Sequence, residues 1–147
     1  WIEDPLGTLF SIQLVAQIDW LDDGTVVTSS YSPSEWTFST LYTPEDLWHP
    51  VSGHRRFGFT DNGDGTVTFY TPGVDRISND AHRLGNLISG GQVFDSADAL
   101  WESLQEGIAR DIGAQSTISE PVTYRPDYDQ VAAVLDGDAP PSSLGCN

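Results

Sequence analysis

The chain has 147 residues, 38% of them apolar, with six phenylalanines, five tyrosines and five tryptophans. That is enough for a globular domain with its own core, and it excludes disorder over most of the length. Against 22 acidic residues stand six basic ones, all arginine, for a formal charge of -16; a field of that sign excludes broad coating of duplex nucleic acid or of anionic lipid, and leaves an anionic partner only a local cationic site.

From Phe10 to Trp20 the even positions are Phe, Ile, Leu, Ala, Ile and Trp and most of the odd ones are polar, the period of a half-buried strand. Asp22, Asp23 and Gly24 turn the chain, Thr25 to Tyr31 returns beside it, and a third strand from Trp36 to Tyr42 follows Ser32 and Pro33. A second hairpin pairs Arg56 to Thr60 with Thr66 to Thr71 around Asp61-Asn62-Gly63-Asp64-Gly65. Closed symmetrically on that turn, Phe59 faces Val67, Phe57 faces Phe69 and Arg56 faces Tyr70.

The period then changes. Val74 to Ser89 reads as a helix or two short turns weakened by Gly85. Asp95 to Ile112 reads as a helix capped by Asp95 and ended by Gly113, with Leu100, Leu104 and Ile108 as its apolar stripe and Trp101 beside it. A short helix from Asp127 to Leu135 lies between Pro126 and Gly137. The expected fold is α+β: a mostly antiparallel five-stranded sheet of two hairpins in the N-terminal half, followed by two to three helices packed on one face. Residues 1–139 are read as one domain and 140–147 as a tail.

No motif names a reaction. The GxSxG elbow, P-loop, dinucleotide glycines and HExxH are absent, and counting a calcium loop from Asp61 puts Pro72 where the twelfth-position glutamate belongs. His49, His54 and His82 have no zinc-site spacing, and any choice of two carboxylates for glycoside hydrolysis is arbitrary among 22. No metal and no cofactor is expected. Cys146 has no partner for an internal disulfide, and no apolar run is long enough to span a membrane.

One window stands out. Residues 49 to 83 hold all three histidines and Arg55, Arg56, Arg76 and Arg83 against Asp61, Asp64, Asp75 and Asp80, a formal sum of zero, so the whole charge excess lies elsewhere. The hairpin register puts Phe57, Phe59, Val67 and Phe69 on the core face and His54, Arg56 and Tyr70 on the other, beside the small Gly58. His54 and His82 then form an acid–base pair, Tyr70 orients, and Arg56, Arg83 and His49 bind substrate. Imidazoles that titrate near neutrality beside permanently charged guanidinium groups suit metal-independent phosphodiester cleavage or a related transfer on a small anionic or polar substrate. Pairing of these arginines with nearby acids is the competing structural account.

Two other functions compete. Trp20, Trp36 and Trp48 could stack on sugars in a carbohydrate-binding module, although Trp20 and Trp36 also fit the apolar period of their strands. The first strand could offer an edge to a protein partner in an assembly module. The 16 Asp against six Glu and the absence of lysine are similar to the composition of salt-adapted proteins, with codon bias as the alternative. His49 to Phe59 and Phe69 to Arg76 resemble stretches in C-terminal domains of secreted bacterial effectors. The start at Trp1 rather than a methionine reads as a processed chain or a domain cut from something longer, and the expected location is extracellular or exported as part of a larger polypeptide.

Overall fold

Alternation of apolar and hydroxyl side chains builds the first half into a sheet in the computed structural model, which describes residues 4–13, 23–44, 51–78, 92–113 and 115–145. Two compact units divide the chain, Trp1–Ile108 and Ala109–Asn147.

Among the described residues the first unit holds six antiparallel strands: β1 (Leu9–Gln13), β2 (Asp23–Ser32), β3 (Glu35–Leu41), β4 (Val51–Asp61), β5 (Val67–Tyr70) and β6 (Gly73–Ile77). Their order is β1-β2-β3-β4-β5, and β6 also pairs with β4. The mostly antiparallel α+β architecture is as expected, with corrections. The first strand is described only to Gln13, and residues 14–22 lie outside the described residues. Val74 to Ile77, read as the start of a helix, belong to β6; the stretch from 79 to 89 lies outside the described residues.

The reason for the sixth strand is a proline. Gly58 pairs with Tyr70 and His54 with Val74, one unbroken register, so β5 and β6 are a single line along β4 split at Thr71 and Pro72. There Arg56 N–H donates to Pro72 O at 2.9 Å, and proline has no N–H to return. The hairpin register is also corrected: Asp61 pairs with Val67 and Phe59 with Phe69, a slip of two that preserves the alternation of faces, but Phe59 and Val67, expected in the core, are exposed near the hairpin tip. Asp64 sets the slip. Its carboxylate accepts from the Thr66 N–H at 2.9 Å and hydroxyl at 2.6 Å, while Gly63 and Gly65 on either side take φ of 77° and 87°. The Thr66 hydroxyl, then its N–H, holds the Asp64 carboxyl below the usual range.

One face of the sheet carries an aromatic row in edge-on contact, Phe10 to Phe38 at 5.5 Å, Phe38 to Phe57 at 5.6 Å and Phe57 to Trp101 at 5.5 Å. Trp101 comes from α1 (Gln92–Asp111), which starts three residues before the expected cap and so places Asp95 in its first turn. The expected stripe is displaced as well. Leu100 and Leu104 are exposed, and Trp101, one residue further around the helix, meets the sheet, joined by Gln105, which donates to the Thr71 hydroxyl at 3.0 Å. Arg55 is on this face. Its guanidinium bonds Asp75 at 2.8 Å and Thr71 O at 2.9 Å and lies 4.4 Å from the Trp101 ring.

The second unit contains α2 (Tyr128–Leu135), where the expected third helix lies, entered through a capping box of Asp127 and Gln130 and followed by Gly137 at φ 83°. A 3-10 turn, Pro141–Leu144, falls within the expected tail.

Candidate functional site

Along β4 the side chains alternate, so Arg55 and Phe57 on the aromatic face leave His54, Arg56 and Gly58 on the other. Opposite them on β3 are Ser39, Thr37 and Glu35, and on β5 and β6 Val74 and Tyr70. Ser29, two residues on from Val27, which pairs with Ser39, is on this polar face as well, and a β-bulge between Thr28 and Ser30 brings Ser30 opposite Thr37. The Ser39 hydroxyl lies 2.6 Å from Nδ1 of His54 and donates to the Ser29 hydroxyl at 2.6 Å, which donates to the Thr37 carbonyl at 3.3 Å. Ser39 is buried and His54 exposed, so the imidazole is held from below and open above.

Further along the face Glu35 accepts from the Tyr70 hydroxyl at 3.1 Å and from Arg56 at 3.5 Å. Tyr70 reaches Glu35 across Gly58, and a methyl group on Gly58 would fall within 2.6–2.7 Å of its ring atoms. The space over the small Gly58 is therefore filled by Tyr70 itself, an aromatic ring covering a strand glycine, and offers no room for substrate. Partial burial first, and then the Glu35 carboxylate, pushes the Tyr70 phenol above its usual range.

The open ground lies on the other side of His54. Arg76 on β6 pairs with Ser52 and stands diagonally from His54, whose direct partner is Val74. Thr40, Ser52, Gly53, His54, Val74, Asp75 and Arg76 line a shallow depression of about 300 Å³, and the Asp75 carboxylate among them is bound by Arg55. Arg76 is exposed, and among the described residues it makes no ion pair, whereas Arg55 and Arg56 each have a carboxylate. The depression also needs Gly53, since a side chain there would run into the Val74 carbonyl.

The structure thus brings His54, Arg56 and Tyr70 to one face, with Arg56 and Tyr70 turned to Glu35. His49, His82 and Arg83 lie outside the described residues, as do Trp20 and Trp48. Trp36 is half-buried in the aromatic cluster, 5.8 Å from Phe38 and 5.0 Å from Tyr31. Among the described residues no three His, Cys, Asp or Glu side chains converge as metal ligands. Sequence reasoning missed Arg76, Ser29, Ser39 and Glu35. Arg76 was legible in the alternation Val74-Asp75-Arg76-Ile77, Ser39 in its place between Phe38 and Thr40 on a strand of known face, and Ser29 in the alternation Val27-Thr28-Ser29. Comparison of the chain with protein-family models, curated proteins and solved structures gives no match.

Proposed function

We propose that the polar face of the sheet binds a small oxyanion ester between His54 and Arg76, and that His54 serves as its acid–base group in metal-independent phosphodiester cleavage or a related transfer. The observation that carries this reading is the sharing of one depression by an exposed imidazole and Arg76, which makes no ion pair among the described residues. Arg76 supplies a fixed charge with two parallel donors for an oxyanion, in a chain whose net field would otherwise repel one. His54 takes the proton of the attacking hydroxyl as its oxygen bonds to phosphorus, and the resulting imidazolium returns that proton to the leaving oxygen as its bond to phosphorus breaks. Arg56, half-engaged with Glu35, is a second cation for an extended substrate. The acidic remainder of the surface fits an exported domain that works in salt.

The test is titration with inorganic phosphate, followed by the His54 ring signals in NMR, together with turnover of an activated phosphodiester. Arg76→Ala should weaken phosphate binding about 10- to 100-fold, the worth of charge-assisted hydrogen bonds. His54→Ala should lower turnover by about 10²- to 10⁴-fold without loss of fold. Phosphate binding that is indifferent to Arg76 would refute the reading.

A further inference from the structure

We infer that Ser39 and Ser29 are positioning residues that lock His54 in the Nδ1–H tautomer, leaving Nε2 as the ring nitrogen that exchanges a proton with a ligand. The catalytic meaning of this lock rests on the role proposed for His54, whereas the tautomer itself does not.

The direction of the chain follows from its end. The Thr37 carbonyl carries no hydrogen and can only accept, so Ser29, 3.3 Å away, donates to it. Each serine has one hydroxyl hydrogen. With that of Ser29 committed, the 2.6 Å contact between the two hydroxyls uses the hydrogen of Ser39. Ser39 then has only lone pairs left for Nδ1, and the second 2.6 Å contact requires a hydrogen on Nδ1. The bond that the other ring nitrogen makes sets the reactive one, and here the setting group is a buried hydroxyl rather than a carboxylate. Ser29 is the terminal link: without its hydroxyl, the Ser39 hydrogen would be free to swing to Nδ1 and reverse the tautomer.

The experiment is ¹⁵N NMR of histidine-labelled protein above the titration of His54, with each variant's amide spectrum as the check on fold. The wild type should show a protonated Nδ1 and a bare Nε2. Ser29→Ala, which removes no atom in contact with the ring, should move the population toward Nε2–H, and Ser39→Ala should do the same; Ser29→Thr, which keeps a hydroxyl, should hold the wild-type tautomer. A wild-type ring protonated on Nε2, or a Ser29→Ala spectrum identical to the wild type, overturns the lock. Phosphate titration of the same samples separates the two ideas: a locked Nδ1–H with no phosphate binding sustains the lock and removes the function, and phosphate binding to an Nε2–H ring does the reverse.

Discussion

Arg55 and Arg56 are adjacent in sequence, yet their replacement should have very different costs. Arg55→Met strands the Asp75 carboxylate, since the two side chains are only 18% and 21% exposed and 2.8 Å apart. It also removes the bond to Thr71 O and the contact with Trp101 that ties α1 to the sheet. Breaking a fully buried ion pair costs roughly 3–5 kcal/mol; the residual exposure here points to about 3 kcal/mol, of which the ring contact accounts for about 1 kcal/mol. Arg56 is 54% exposed and 3.5 Å from Glu35, so Arg56→Ala should cost about 0–1 kcal/mol. Both variants remove one positive charge, which makes each the control for the effect of net charge. In urea, with a slope of about 2 kcal/mol per M, the midpoint should fall by about 1.5 M for Arg55→Met and by at most about 0.5 M for Arg56→Ala. Adding Asp75→Asn to Arg55→Met should recover part of the loss by removing the stranded charge. Equal shifts for the two single variants would refute the assignment of these neighbours to opposite faces.

Thr28 is 1% exposed and its hydroxyl has no hydrogen-bond partner among the described residues, so Thr28→Val should raise stability by about 1 kcal/mol in the same urea assay. Glu35→Gln should lower the Tyr70 titration toward the ordinary phenol range, read by ultraviolet absorbance of the phenolate, because the carboxylate is the cause that adds to burial. The sign follows: with the folded value raised, the contribution of neutral Tyr70 to stability is complete below the unfolded phenol titration and lost as pH rises through the folded one, and the variant should lose it at lower pH. Thermal melting should rise between low and multimolar salt, as expected for self-repulsion at a formal charge of -16 that screening relieves; an unchanged melting temperature would count against salt adaptation.

Much of the fold was legible because strand faces depend only on parity. The hairpin register was off by two residues, and still Phe57 and Phe59 stayed on one side with His54 and Arg56 on the other. What local patterns did not carry were events involving a second element. Asp64 moved the turn by bonding Thr66, Pro72 split a strand that continues into a segment read as helical, and the Trp101 ring displaced the leucine stripe of α1 by meeting Phe57 and Arg55. The candidate site followed the same rule. His54, Arg56 and Tyr70 were placed by alternation, whereas the filling of the space over Gly58 depends on a ring crossing from another strand, and that Arg76 makes no ion pair among the described residues emerges only once the partners of Arg55 and Arg56 are known.

The proline between β5 and β6 also divides the sheet dynamically. Arg56 is the position on β4 where a reciprocal pair of backbone bonds is reduced to one, so the ladder has a seam there. Beyond the seam are the turn around Asp64 and the four pairs from Gly58 to Asp61; behind it are β6, His54 and Arg76. The hairpin tip can fray as its own cooperative unit, with amides of Val67 to Tyr70 exchanging with solvent ahead of those of Val74 to Ile77. Opening at the tip then leaves the depression at His54 and Arg76 intact, so breathing of the sheet and occupancy of the site are separable events.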